Sequence, residues 1–360
     1  MKKTLVAIAA VVATTGAMAD VTISGNLNQA LTTDKVTGGT TDSSLQGMHS
    51  MTGDSFLTFS GSEDMGNGLK ANFKLEQALD LNGNVSTTGS MFGTNTTGNG
   101  NREAWVGIST EIGTLNFGNQ YAPSFLAAIA ADPMGANNIK GAMGNLGIST
   151  VLGGNSIVYN APAFSGITLS VMQNYGNKDS DSVNAGNAYG YSLSYANGPL
   201  NAAYGRQEAT MSGTSAITLV NISSGALVGN AGNASVTSTT VDTPTDGATR
   251  TEQTYSVSYD LGVAKVGAWG SRTDYSQGDK VQGQSGAISA PFGNVVVAYT
   301  FGNGSATPNG STTTNYTGYQ YSAQYNFSKR TNLYIAGGQI KDTTNDETRT
   351  TSGFGINHSF

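Results

Sequence analysis

The sequence predicts an all-β chain, a 16-stranded antiparallel transmembrane β-barrel. Three observations predict it. Phe354, Ile356, His358 and Phe360 alternate with Gly355, Asn357 and Ser359, giving a last strand with one apolar face that ends on an aromatic residue. Similar period-two segments recur along the chain, separated alternately by tight turns and by long polar stretches. The composition is polar and glycine-rich, with Gly 49 and 11% charged residues, yet it carries 16 Tyr and 12 Phe inside the alternating segments. Disordered linkers lack such placed aromatics, whereas a barrel with lipid on one face and water on the other needs them.

From the N-terminus, Lys2 and Lys3 precede an apolar run from Leu5 to Val12, and Ala17-Met18-Ala19 places small residues before Asp20. This is the pattern of a secretory signal peptide over 1–19, cleaved after Ala19, and the run is shorter than the ~20 residues of a spanning helix. Residues 20–360 then form a single barrel domain. Loss of Lys2 and Lys3 moves the formal net charge from −6 to −8. Cysteine is absent, so the backbone ladder has to hold the exported chain together, and closure of the ladder removes its edges.

The clearest strand faces are Tyr189-x-Tyr191-x-Leu193-x-Tyr195, Tyr255-x-Val257-x-Tyr259-x-Leu261, Val295-x-Val297-x-Tyr299-x-Phe301 and Tyr319-x-Tyr321-x-Ala323-x-Tyr325-x-Phe327. Aromatics at strand ends suit the interfacial girdles of a membrane barrel. Seven tight turns are expected, at 63–68, 111–113, 161–166, 197–199, 260–262, 291–294 and 328–331, from their Gly, Pro, Asn and Asp chemistry. Between them lie longer Thr/Ser/Asn/Gly stretches, including 32–54, 80–100, 121–154, 176–187, 208–250 and 302–315. Seven turns and eight longer loops give sixteen strands and a lumen wide enough for water. Loop 208–250 is expected to carry a small hairpin of its own at 216–220 and 226–228.

Several segments together resemble the general-diffusion porins of Gram-negative, betaproteobacterial type. They are Gly61-Ser62-Glu63-Asp64 with Gly68-Leu69-Lys70-Ala71, Asn101-Arg102-Glu103-Ala104-Trp105-Val106-Gly107, Gly113-Thr114-Leu115 and Asp132-Pro133-Met134-Gly135. Further on come Ala161-Pro162-Ala163-Phe164-Ser165-Gly166, Tyr195-Ala196-Asn197-Gly198-Pro199-Leu200, Ser328-Lys329-Arg330-Thr331-Asn332-Leu333-Tyr334 and the terminal Phe360. The resemblance implies an outer-membrane porin that passes ions and small hydrophilic solutes passively, a homotrimer, and a third external loop folded into the barrel. It also implies that outer-membrane assembly machinery reads the strand ending at Phe360. No enzymatic activity, cofactor, metal or nucleic-acid partner is expected.

In such a pore, side chains of one sign on the wall face side chains of the other sign on the loop. Alternation from Leu69 to Leu75 sends Lys70, Asn72, Lys74 and Glu76 to one side. Arg102 matches the wall arginine of the family pattern, and an arginine on the lipid face costs ~2–4 kcal/mol at mid-bilayer. Asp132 falls in the constriction loop. The expected selectivity set is therefore Arg102, Lys70 and Lys74 against Asp132, with Glu76 adding acidity. The competing readings place the two lysines at a solvated rim and leave Asp132 a mere turn initiator. Where related porins commonly carry wall arginines this chain has Asn26, Ser60, Asn119 and Val158, and with the net charge this predicts weak selectivity.

Two alternatives are a substrate-preferring channel using Tyr121 or Phe125, and an exported β-rich adhesin. His49 falls in an expected loop, and His358 is expected in a girdle facing the same way as Phe360. Asn177, Asp179 and Asp181 lack the distal Glu of a calcium loop.

Overall fold

The structure is a computed structural model that describes residues 20–38, 43–79, 81, 101–135, 139, 141–176, 186–211 and 247–360. The signal segment 1–19, the hairpin expected inside 208–250 and the 177–181 fragment lie outside the described residues. Among the described residues there are seventeen strand segments, one short helix, α1 (Pro123–Ile129), and one 3-10 turn, Met143–Asn145. No helix among them is long and apolar enough to cross a membrane.

In chain order the strands are β1 (Asp20–Thr37), β2 (Ser43–His49), β3 (Phe56–Gly66), β4 (Leu69–Ala78), β5 (Asn101–Thr110), β6 (Gly113–Tyr121), β7 (Leu152–Asn160), β8 (Ile167–Asn174) and β9 (Ala188–Asn197). Then follow β10 (Leu200–Thr210), β11 (Thr249–Asp260), β12 (Lys265–Tyr275), β13 (Lys280–Phe292), β14 (Val295–Thr307), β15 (Thr314–Asn326), β16 (Thr331–Asp342) and β17 (Glu347–Ser359). Each pairs antiparallel with its chain neighbour, except that β2 and β3 both pair with β1. Val36 to Ala30 face Ser43 to His49, and Asn26 to Asp20 face Phe56 to Ser62. The two segments are therefore one interrupted stave, and seventeen segments make sixteen staves.

Closure falls between β1 and β17, from Asn26 opposite Ser359 to Thr37 opposite Thr348. Gly25 and Phe360 finish it by exchanging both main-chain hydrogen bonds, each 3.1 Å. A Cβ on Gly25 would stand 2.6 Å from the Phe360 ring, so the ring lies where a side chain at 25 would be. Gly25→Val is expected to push the ring off the seam, an overpacking cost of about 1–3 kcal/mol. A lower unfolding midpoint of the detergent-solubilised barrel, with Gly25→Ala between it and the wild type, checks this.

The outward residues are the ones the alternation marks. Tyr191, Leu193, Tyr255, Val257, Tyr321 and Phe354 all present 37% or more of their surface on the outside of the ring, as lipid-facing groups should. Along β15 and the residue that follows it, the apolar face runs from Phe327 to Tyr319. At ~3.4 Å per residue and ~40° tilt this spans about 21 Å, close to the apolar band of outer-membrane barrels. His358 points the same way and stacks on Phe360 at 6.5 Å.

All seven expected turns connect strands, and they share one end of the barrel. At the other end two expected loops are shorter than the composition suggested. Segment 32–54 contains the end of β1 and all of β2, with His49 on β2 rather than in a loop. Segment 302–315 is mostly strand, leaving only 308–313 between β14 and β15. The physical reason is common to both. A strand that rises above the membrane has water on two faces and therefore takes the Thr, Ser and Asn content of a loop. Between β16 and β17, Asp342 closes a four-residue turn by accepting the Thr344 and Asn345 amides at 2.8 and 2.9 Å.

Candidate functional site

The lumen side of β1, β3–β6 is polar, and the inner loop between β6 and β7 is folded against the opposite wall. The loop begins where Pro123 opens α1, its missing amide being of no use at a helix start. Wall hydroxyls hold the loop main chain. Thr254 and Ser256 of β11 donate to the Ser124 and Ala127 carbonyls at 2.7 and 2.6 Å, and Ser271 of β12 donates to that of Gly144 at 2.7 Å. Ser285 accepts the Gly144 amide at 2.8 Å, and Trp269, fully buried, donates to Asn145 Oδ1 at 2.8 Å. Gly144 lies so close to the indole that a Cβ there would sit 2.5 Å from it.

The returning limb is fixed by charge. Glu252 of β11, 1% exposed, accepts the Ser149 and Thr150 amides through Oε2 at 2.7 and 3.1 Å. Arg250, one inward position earlier, donates to Thr150 Oγ1 at 2.5 Å. The expected inward loop is thus present, with β11 holding both its outgoing and its returning limbs.

The structure gathers the charges at the foot of this loop. Arg102 Nε donates to Glu76 Oε1 at 2.6 Å, and its Nη1 is bound to Asp54. Its Nη2 reaches Tyr121 Oη at 2.5 Å, and the guanidinium stands over the Phe56 ring, 5.0 Å from its centroid. Lys74 is bound to Glu103 and lies 3.0 Å from Glu76 Oε2. Thr58 also donates to Glu76 Oε2, at 3.0 Å.

A break in register makes this cluster. Lys74 pairs with Trp105 and Glu76 with Glu103, but Gln77 pairs with Asn101, so Arg102 has no strand partner opposite. Strict alternation would send Arg102 and Glu103 to opposite faces. The bulge lets both reach the lumen, a common use of bulges at functional sites.

Of the residues singled out from sequence, Arg102, Lys74 and Glu76 come together. Lys70 shares their face but lies four residues nearer the turn end, exposed, and is not joined to the cluster. Asp132 is 8% exposed and turned into the loop itself, where its Oδ1 accepts the Met134 amide at 3.0 Å beside the Asn145 side chain. It does not pair with Arg102. Sequence reasoning missed Asp54, Glu103 and Glu252. Glu103 adjoins Arg102 in the motif, but only the bulge puts it on the same side, and Asp54 fell in a stretch read as loop.

Burial pushes the Asp132 carboxyl from 3.8 up to about 6, against the opposing hydrogen bond from Met134. The folded loop therefore holds this proton more tightly than an open chain does. Its packing is firmest below about pH 4 and loosens as pH rises through 6. Open-channel noise is expected to grow between pH 4 and pH 7, and Asp132→Asn, neutral throughout, should abolish that trend.

A closed ring of strands with an aromatic-edged apolar exterior, a polar interior and a loop folded inward defines a transmembrane channel of the outer membrane. A profile of the Gram-negative porin family matches residues 6–345, and the chain belongs to that family. An outer membrane porin protein of Bordetella pertussis is 32% identical over 326 residues, covering 83% of this chain and 80% of the relative. A major outer membrane protein P.IB of Neisseria meningitidis serogroup B is 26% identical, with all of both chains covered. Among solved structures, an anion-selective porin from Comamonas acidovorans superposes with a TM-score of 0.72 at 21% identity, over 95% of this chain and 100% of that one. The chain is an outer-membrane porin of a Gram-negative bacterium.

Proposed function

We propose that this porin is a weakly selective general-diffusion pore with a slight preference for cations, and that it works as a homotrimer. One observation carries the selectivity. The wall cations are matched by carboxylates on the same wall, Arg102 by Glu76 and Asp54, and Lys74 by Glu76 and Glu103. Charges paired at contact distance have little field left to project across a lumen. Within this cluster three carboxylates against two cations leave a small negative excess.

Reversal potentials in a KCl gradient test it. The wild-type permeability ratio is expected within a few-fold of unity, on the cation side. Arg102→Gln, which leaves Lys74 alone against three acids, should raise it severalfold. A strongly anion-selective wild type, or a ratio indifferent to Arg102→Gln, overturns the reading.

The trimer is supported by likeness to a trimer form of an outer membrane protein OmpT of Vibrio cholerae, TM-score 0.63 at 16% identity, over 95% of this chain and 99% of that one. Export by cleavage after Ala19, and insertion by assembly machinery that reads the strand ending at Phe360, complete the proposal. The substrate-preferring alternative finds less support. Phe125 stacks on Tyr121 at 5.5 Å but is 4% exposed, packed with Val158 and Met172, and so offers a solute almost no ring face.

A further inference from the structure

The interrupted stave carries more chain than its neighbour requires. Six residues, 50–55, separate β2 from β3, yet only three residues of β1, 27–29, stand opposite them, since His49 faces Ala30 and Phe56 faces Asn26. The excess turns into the lumen as a kink. Met51, 0% exposed, lies there in one apolar cluster with Met134 and Ile139 of the inner loop and Tyr334 of the wall. It covers a bare position of β17, where a Cβ on Gly353 would stand 2.7 Å from the Met51 sulfur. Main-chain groups that lose their ladder partners must be satisfied in another way. The Ser55 hydroxyl accepts the Asn28 amide at 2.9 Å and donates to the Asn28 carbonyl at 3.0 Å. The Asn28 side chain donates to Thr52 Oγ1 at 3.0 Å, and that of Asn26 to the Asp54 carbonyl at 2.8 Å. The kink is therefore pinned to β1 along its length.

Its second half reaches the root of the same loop. Asp54 is bound to Nη1 of Arg102, and Nη2 of Arg102 reaches Tyr121 Oη at 2.5 Å. The guanidinium stands over two rings, 5.0 Å from the centroid of Phe56, which follows the kink, and 5.9 Å from that of Tyr121. Tyr121 is the last residue of β6, and its ring stacks on Phe125 of α1 at 5.5 Å. The kink is thus joined to the loop twice, to the tip through Met51 and to the root through Asp54, Arg102 and Tyr121.

We propose that the kink 50–55 positions the inner loop and so sets the size limit of the pore, with Met51 and Asp54 as its positioning residues. The loop runs along β10 to β15 through α1 and 143–145, where wall hydroxyls hold its main chain. Its tip has no such bonds to a smooth wall, because Ala30, Ala336 and Gly353 are too short to reach it. Met51 fills that space, and packing at this density resists displacement. The ion pair at the other end of the kink fixes Tyr121, hence the angle at which the chain leaves β6 for α1. An interruption that re-aims side chains beside a functional site is a known use of irregular strands. The aperture is then bounded by loop and kink together, and loosening either contact lets the loop move aside for a larger solute.

The proposal rests on the pore reading above but not on its ion preference, and uncharged solutes keep the two apart. The full-length porin is reconstituted in liposomes, where swelling reports entry of a mono-, a di- and a trisaccharide, and in planar bilayers for single-channel records. Met51→Ala is expected to speed trisaccharide entry severalfold relative to the monosaccharide, and to raise open-channel noise. Asp54→Asn should do the same, although a neutral sugar does not feel the lost charge, and the double variant should exceed both. Met51→Leu, close in volume, should restore wild-type behaviour. Should Met51→Ala not fold, Ile139→Ala empties the same cluster from the loop side. Sugar ratios and noise unchanged in both single variants, with only a lower unfolding midpoint, would reduce the kink to an accommodation in the wall and overturn the proposal. So would an Asp54→Asn variant that shifts the reversal potential and nothing else. A wild type without conductance steps would overturn the channel reading and this proposal with it, whereas normal steps in the wild type with unaltered variants would overturn this proposal alone.

Discussion

Glu252→Ala is expected to free the returning limb of the inner loop while leaving the barrel closed. Two amides, those of Ser149 and Thr150, lose their acceptor inside a nearly dry contact. Hydrogen bonds to charged groups are worth about 1.5–3 kcal/mol each, and Arg250, which holds Thr150 from the other side, loses its neighbouring carboxylate. The outgoing limb keeps its bonds to Thr254 and Ser256. The loop should therefore swing on one attached limb. Single-channel records would show several-fold more open-channel noise and closure at lower voltage. Glu252→Gln retains an acceptor oxygen for the same two amides and should restore most of the quiet wild-type behaviour. If the alanine variant records like the wild type, the carboxylate is not what holds the loop.

Arg349→Ala is expected to be the most destabilising single change at the seam. Arg349 of β17 forks onto Asp34 of β1 at 3.0 and 2.9 Å across the closing strand pair, and the two side chains are only 6% and 9% exposed. Thr351 adds a hydroxyl to the same carboxylate at 2.5 Å. Removal of one partner leaves a buried charge uncompensated, at about 3–5 kcal/mol. The double replacement Asp34→Asn, Arg349→Met removes both charges and should recover much of the loss. Midpoints of thermal unfolding, read by the gel shift between folded barrel and unfolded chain, distinguish these outcomes. Equal midpoints for the single variant and the wild type would mean that the backbone ladder alone closes the ring.

Much of the barrel could be read from residues because its two environments alternate at the period of a strand. Tyr189 to Tyr195 and Tyr319 to Phe327 separate lipid from water by position alone, and the turn residues supply the punctuation. Strand length at the loop end was not legible. Composition carries no signal there, because β14 continues through Gly302, Asn303, Gly304 and Ser305 to Thr307, residues that serve equally in a loop. The interruption of one stave into β2 and β3 left no mark in the sequence either.

The site divides in the same way. Inward direction for Lys74 and Glu76 followed from parity, and for Arg102 from the cost of a guanidinium in lipid. Parity could not put Arg102 and Glu103 on one face, since that depends on how many residues oppose each other across two strands. Nor could it set Asp132 inside the loop instead of across the pore, because burial of that carboxylate depends on where Met134 and Asn145 pack.

The sequence by itself determined a closed sheet in lipid, since side-chain polarity at period two is a local property that any strand must obey. Only the tertiary structure decided which charges face one another. Bulges, seams and loop contacts join residues far apart in the chain, Asp34 with Arg349 and Glu252 with Ser149, and their pairing is fixed by distances in space that no local pattern encodes.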